Sequence, residues 1–290
     1  MPASRQSKPR GRLTSPLTPH LFAPTRARPL RGKRHVLEAE ARVEPHCHPW
    51  AQLAFSATGV MRLTAQQGTY LVPPSRAVWV PPGVEHAVTV VEHCELRTLY
   101  LHQPRGRCGP TAALGNDAVV AGWDRCRVLE VSALLRALLL ALPTAADGGA
   151  SLGAAERRRE QLLGELICAE IEAAAPVPLG VTLPQDKRLR ALCEAVLDEP
   201  TRHATLAAWA RDAGASERTI ARLFRDQLGT SFLQWRQQVL LARALAMAAR
   251  KRPMSEIAAE LGYASPSAFS AMVRRSVGAP PSRFFASAAS

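Results

Sequence analysis

Over the last third of the chain, apolar positions recur at helical spacing, and the pattern is written twice. The first copy runs Leu206, Trp209, Ala210, a turn at Gly214, then Ser216, Ile220, Leu223, Phe224 and Gly229. The second runs Ile257, Ala258, Leu261, Gly262, then Ser265, Phe269, Met272, Val273 and Gly278. Ser216 aligns with Ser265, Ile220 with Phe269, Phe224 with Val273 and Gly229 with Gly278, at one common offset of 49 residues. Any helical hairpin can mimic one such unit, but two in register predict a pair of helix-turn-helix motifs. Between them, Trp235, Val239, Ala242, Leu245 and Ala246 form the stripe of a helix over 232–250 that would hold the two units apart.

Upstream the period changes. From about 35 to 103 short alternating or apolar runs are broken by Pro and Gly: Gln52–Phe55, Val60–Thr64, Thr69–Val72, Val78–Val80, Ala87–Val91 and Leu96–Leu101. This spacing predicts a small antiparallel sandwich or barrel. Two helices are then expected, over Leu129–Leu142 (stripe Val131, Leu134, Leu135, Leu138, Leu142) and Ala154–Ala174 (stripe Leu162, Leu163, Leu166, Ile167, Ile171). The fold class is α+β in two domains. A basic, disordered arm covers 1–34, a sensor domain 35–126, and a helical pair 127–175, which is a candidate dimerisation surface for a homodimer. A Pro-rich linker covers 176–186, and an all-α double helix-turn-helix domain 187–290.

Charge sharpens the division. The net charge is +13, but residues 35–186 carry twelve basic against sixteen acidic side chains, while 187–290 carry sixteen against eight. Residues 1–34 hold nine Lys/Arg and no acid. A basic block around the paired motif fits a phosphate-backbone partner. The six cysteines show no zinc-type spacing and read as reduced cytoplasmic thiols. The longest apolar run, Val131–Leu142, is too short for a bilayer and holds Arg136, so no membrane segment is expected.

Ser216 and Ser265 suit the N-caps of the second helices, and Pro266 suits a first helical turn. With the apolar positions facing the core, Arg218, Ala221, Arg222 and Arg225 face outward on the first reading helix. On the second, Ser267, Ala268, Ser270, Ala271 and Arg274 do so, with Arg275 beside them. Arginines spaced four apart on one face suit bidentate contacts to guanine or a phosphate clamp. The competing reading is a merely solvated arginine face. Residues 187–286 resemble the AraC/XylS family of bacterial transcription regulators. The motifs carrying the resemblance are Leu206–Ala210, Ser216–Arg225, Leu241–Arg243, Ile257–Tyr263, and Ser265 through Phe284. The resemblance implies promoter DNA and RNA polymerase as partners, activation or repression as the outcome, and Arg218, Ala221, Arg222, Ser267, Ala268 and Ala271 as base-facing residues. Val273 and Ala271 depart from the family's usual Phe and its long polar side chain, which shifts expected specificity to the first unit.

The middle domain carries His46-Cys47-His48-Pro49-Trp50-Ala51-Gln52 and, later, Pro81-Pro82-Gly83-Val84-Glu85-His86. In an unbroken strand His46, His48, Trp50 and Gln52 would share one face. These segments resemble the two cupin motifs, with Gln52 in place of the usual Glu. The resemblance implies a cupin or jelly-roll β-barrel in which His46, His48, Gln52 and His86 are candidate ligands of a divalent transition metal. A metal-free pocket is the alternative, with Trp50, Gln52 and His86 binding a small-molecule effector. Together the two resemblances predict a cytoplasmic, sequence-specific DNA-binding regulator that senses a small molecule or metal ion, and not an enzyme. The rival is a metal-dependent cupin enzyme with an appended DNA-binding domain. That rival lacks an evident general base, because Gln52 is an amide and Glu85 lies on the turn.

Overall fold

The computed structural model describes residues 13–14, 19–65, 68–74, 76–91, 93–115, 122–148, 153–177, 180–181, 183–277 and 280–286. Gly278 and most of the basic arm before residue 19 lie outside them. The strands are β1 (Leu13–Thr14), β2 (Leu30–Leu37), β3 (Arg42–His46), β4 (Ala51–Thr58), β5 (Met61–Ala65), β6 (Gly68–Val72), β7 (Arg76–Val80), β8 (His86–Val90), β9 (Cys94–Leu101), β10 (Arg127–Glu130), β11 (Pro176–Val177) and β12 (Gly180–Val181). The helices are α1 (Ala133–Ala141), α2 (Ala154–Ala173), α3 (Lys187–Asp198), α4 (Leu206–Asp212), α5 (Glu217–Leu228), α6 (Phe232–Ala249), α7 (Met254–Glu260), α8 (Pro266–Val277) and α9 (Pro281–Ala286).

The strands form two sheets, ordered β1-β3-β8-β5-β6-β12 and β11-β10-β7-β4-β9-β2. Apolar residues of the first sheet (Val43, Met61, Leu63, Val88, Val90) and of the second (Ala54, Val78, Val80, Leu96) belong to one buried cluster. The outer face of the second sheet (Leu53, Phe55, Trp79, Leu99, Leu101) packs on α1 and α2 through Leu135, Leu138, Leu139, Ile167 and Ile171. Strand β4 is therefore covered on both faces, and every residue from Ala51 to Ala57 is buried. A centrally placed strand of this kind carries apolar side chains without alternation.

The cupin-type or jelly-roll barrel implied by the motif resemblance is not formed. Each sheet is open: β1 and β12 end one, β11 and β2 end the other, and no strand belongs to both. Three of the six crossings between the sheets from β2 to β9 hold proline, at Pro49, Pro73–Pro74 and Pro81–Pro82. Proline supplies no ladder donor, so these crossings interrupt the strands instead of bending continuous ones around a corner.

The helical pair also departs from its expected stripes. Leu129 lies in β10, and α1 starts only after Ser132, whose side chain accepts from Leu135 N. Leu134, Leu162 and Leu166 are about half-exposed. The inner face of α2 keeps Leu163, Ile167 and Ile171 of the expected stripe and adds Gly164 and Cys168, with Glu160 held by a bidentate pair from Arg28 at 2.7–2.9 Å.

From Lys187 onward the described chain is helical. Its core is continuous with that of the first sheet, through Val181, Leu183 and the apolar faces of α3 and α6. Arg62 of β5 pairs with Asp198, the last residue of α3, at 2.7 Å. Gln227 Oε1 accepts from the backbone N–H groups of Gln185 and Asp186 at 3.1 and 3.0 Å.

Candidate functional site

The four motif residues meet, though not along one strand. Strand β3 ends at His46, residues 47–50 form a crossing, and β4 begins at Ala51. His46 and His86 are cross-strand partners in the first sheet, Gln52 sits in the second, and the crossing carries His48 between them. The turn at Pro81–Gly83 is docked on this crossing, because Gly83 N donates to His48 O at 2.9 Å. Gly83 has φ +74°, a left-handed conformation that suits glycine. His86 leaves that turn at the start of β8.

The rings pack closely: His46–His86 centroids are 4.5 Å apart and His48–His86 5.2 Å. Trp50 stacks on His48 at 5.2 Å, and Tyr100 meets both edge-on. His48, Gln52 and His86 are buried, while Cys47 points to solvent. One potential ligand nitrogen from each histidine lies within 4.8 Å of the others. Metal–nitrogen distances of about 2.1 Å on each side nearly span that separation.

The proton positions follow from the neighbours. His46 Nδ1 lies 2.8 Å from Glu44 O, His48 Nδ1 2.8 Å from Trp50 O, and His86 Nδ1 2.9 Å from Val84 O. A carbonyl only accepts, so each Nδ1 carries a proton, and a ring in its neutral form presents its lone pair at Nε2. Outer hydrogen bonds of this type orient metal-binding imidazoles. Burial pushes His48 below the ordinary histidine value. It takes His86 down to about 4, against a partly opposing bond to Val84 O. Gln52 Oε1 then faces His48 Nε2 at 2.8 Å and His86 Nε2 at 3.2 Å. With Oε1 so turned, lone pairs face one another without a proton between them. Either a cation in their midst or a turned Gln52 amide donating from its NH2 relieves the repulsion. The cluster can coordinate a divalent metal.

The second candidate site is the pair of helix-turn-helix units. Both turns close by the same bonds: Ala215 N to Ala210 O and Tyr263 N to Ala258 O, with Gly214 N to Arg211 O and Gly262 N to Ala259 O. The second turn holds one more residue, so the first helices are offset by 48 while the second helices keep 49. Ser216 caps α5 by accepting from Thr219 N at 3.1 Å, and Ser265 accepts from Ala268 N at 3.1 Å. Trp209, Ile220 and Phe224 of the first unit and Ile257, Phe269, Met272 and Val273 of the second are buried in one continuous core. Leu223 is only half-buried against this core. Arg218, Arg222 and Arg225 on α5 are exposed, as are Ser267, Ala268, Ala271, Arg274 and Arg275 on α8. Ala221 and Ser270 are partly covered. Ala221 and Arg225 border a surface hollow of about 310 Å³ that also takes in Phe232, Leu233 and Arg236.

Some residues around these sites escaped the sequence reading. Tyr100, which contacts both His48 and Trp50, sits in an ordinary apolar strand and carries no motif signal. Lys33 is buried at 2 % exposure although it lies in the stretch 1–34 read as a disordered basic arm, whose last residues from Leu30 onward form part of β2.

The family model described as a helix-turn-helix domain matches residues 209–287, and that of the AraC-like ligand binding domain matches 37–167. The HTH-type transcriptional regulator NimR of Escherichia coli is 30 % identical over 241 residues, covering 83 % of this chain and 81 % of its own. The arabinose operon regulatory protein of the same organism is 28 % identical over 125 residues, 42 % of each chain. A solved structure of ToxT from Vibrio cholerae aligns over 90 % of this chain and 100 % of its own, at 10 % identity and a TM-score of 0.36. The chain belongs to the AraC/XylS family of helix-turn-helix transcriptional regulators, with an N-terminal domain of the ligand-binding kind. It is a DNA-binding regulator and not a member of a catalytic family, which disposes of the enzyme alternative. Among the described residues no helix is long and apolar enough to cross a membrane.

Proposed function

We propose that the protein is a sequence-specific regulator of promoter DNA, acting in the cytoplasm as a homodimer that contacts RNA polymerase and responding to a divalent transition metal held by His46, His48, His86 and Gln52. The observation carrying the metal assignment is that His46, His48 and His86 each bring one potential ligand nitrogen within 4.8 Å of the others while every Nδ1 is engaged by a carbonyl. Three imidazoles and an amide oxygen compensate a dication's charge poorly. An anionic effector, reached through Trp50, Gln52 and His86, would complete the coordination.

On the DNA side, Arg218, Ala221, Arg222 and Arg225 of α5 face one major-groove segment. Ser267, Ala268, Ser270, Ala271, Arg274 and Arg275 of α8 face the next, the arginines of α8 engaging mostly phosphates. Exposure of these side chains, all but the partly covered Ala221 and Ser270, on two separately capped helices supports this reading. A metal alters DNA affinity only if the two domain arrangements bind it differently. The experiment is zinc or nickel titration of the purified chain by calorimetry, followed by DNA affinity with and without metal. The double variant His48→Ala/His86→Ala is expected to lose metal binding and the metal response while keeping its DNA affinity. A metal response that survives both changes would overturn the assignment.

A further inference from the structure

Arg236 and Arg243 stand about two helical turns apart on α6 and so share one face of it. Both grip the chain as it leaves α3. Arg243 Nη2 donates to Leu197 O at 3.2 Å and to Asp198 O at 2.8 Å, and Arg236 Nε donates to Pro200 O at 2.9 Å. The bonds from Arg243 satisfy carbonyls that the end of a helix leaves open, a common use of arginine. The bond from Arg236 does something else. Pro200 lies beyond α3 and opens the loop 200–205, which leads into the first helix-turn-helix unit.

That loop is tied to both units. On the first, Thr205 caps α4 by accepting from Ala208 N at 3.4 Å, and Trp209 Nε1 donates to His203 O at 3.1 Å. Arg202 and His203 both reach Asp212, at the other end of α4, at 2.7 and 2.9 Å. On the second, Thr201 stands over the turn: a Cβ on Gly262 would lie 4.0 Å from Thr201 Cγ2, an ordinary van der Waals contact. Arg236 is also within electrostatic reach of that turn. Burial pushes its guanidinium below the ordinary arginine value, and Tyr263 opposes the push. Its side chain borders the hollow beside Ala221 and Arg225 of α5 as well. One arginine thus stands where the loop, the first reading helix and the second turn come together.

Two reading helices serve one duplex only if their separation and rotation match its pitch, because each base pair adds about 3.4 Å of rise and about 34° of turn. A charged donor on a carbonyl makes a strong bond, and its loss leaves the loop fastened to α4 but not to α6. We propose that Arg236 is a positioning residue: by fastening the loop 200–205 to α6 it fixes the spacing of the two helix-turn-helix units, and so the separation of DNA subsites that the protein accepts. This rests on the reading of α5 and α8 as the two DNA-reading helices.

The test is fluorescence anisotropy of the full chain on a preferred site obtained by selection of bound fragments. Two altered versions of that site carry one base pair inserted or removed between the segments read by α5 and α8. Wild type is expected to bind the altered spacings about tenfold or more weakly. Arg236→Leu, which keeps an apolar stem and removes the donor, is expected to narrow that ratio to about threefold or less. Loss of folded protein lowers binding to all three DNAs alike and cancels in the ratio. Asp212→Ala releases the loop from α4 without touching Arg236, is expected to narrow the ratio too, and serves if Arg236→Leu does not fold. A ratio equal to that of wild type in Arg236→Leu, or in Asp212→Ala where the former does not fold, overturns the proposal and leaves the DNA reading standing. An equal loss on all three DNAs with a shallower salt dependence also overturns it, since that marks Arg236 as a phosphate contact. If wild type itself binds the three spacings alike, the reading of two helices in successive groove segments fails, and the role of Arg236 with it.

Discussion

At the scale of single residues, burial of charge is the dominant theme. Lys33 has a pKa of about 8 in the folded chain against an ordinary 10.5, through desolvation. Below pH 8 both states are protonated and folding carries the full cost of a buried ammonium. Between about 8 and 10.5 the unfolded chain alone keeps its proton, so this group makes stability rise with pH across that window. Lys33→Met is expected to be more stable than wild type at pH 7, by an amount on the order of 1–3 kcal/mol, with the advantage vanishing toward pH 10.5. Denaturant melts at pH 7 and above pH 10 measure it, and an equal stability difference at both pH values would contradict the desolvation account. Arg222 is the complementary case, an exposed charge whose worth lies in what it meets. Arg222→Ala should cost about 1–3 kcal/mol on the preferred site with little loss on unrelated DNA, if the side chain reads a base. Equal losses on every sequence, in a competition binding assay, would make it a phosphate contact.

At the scale of elements, helices and strands were not equally legible in the sequence. The period and caps of α5 and α8 are local, so Ser216, Ile220, Phe224 and their partners Ser265, Phe269 and Val273 announced themselves without the rest of the molecule. Ser216→Ala should therefore cost about 1 kcal/mol of stability, the value of one N-cap bond, readable in a thermal melt. Strand positions were also visible, at Gln52–Phe55 or Leu96–Leu101, but pairing is a long-range property. Nothing local says that β4 lies between β7 and β9, or that the sheets stay open. The metal candidates show the same limit. Their spacing was readable, yet the geometry that unites them is a crossing at 47–50 and a docked turn at Pro81–Gly83, not a shared strand face. In α2 the inner stripe was misplaced because Leu162 and Leu166 are as apolar as Ile167 and Ile171 but point outward. Two half-exposed leucines four apart, with Leu134 on α1, form the surface on which the proposed homodimer would close. Leu166→Glu is expected to shift sedimentation at micromolar concentration from dimer to monomer without lowering the melting midpoint substantially. An unchanged sedimentation profile would place the interface elsewhere.

At the scale of the whole molecule, the question is how a ligand between two sheets reaches DNA-reading helices. The first sheet supplies a short route. His86 lies opposite Ala65 on β5, the same strand carries Arg62, and Arg62 pairs with Asp198 at the end of α3. Strand β5 is also bonded to β6, which packs with β12 against α6, the helix joining the two DNA-reading units. On the proposed metal reading, a ligand drawing His46 and His86 toward Gln52 would shift β3 and β8, and through its pairing with β8 also β5. The Arg62–Asp198 pair is largely exposed on its acidic side, so breaking it should cost no more than about 1 kcal/mol of stability. Its effect on communication is expected to be larger in proportion, because couplings between sites are themselves about 1–3 kcal/mol. Arg62→Ala should thus fold and bind metal as the wild type does, while the ratio of DNA affinities with and without metal moves toward one. The apolar contacts of β6 and β12 with α6 remain in that variant, so the ratio should not reach one. Calorimetric metal titration and fluorescence anisotropy on labelled DNA measure the two quantities separately. A ratio identical to that of the wild type would mean that the message passes through the shared apolar core alone and that the ion pair only fastens the domains together.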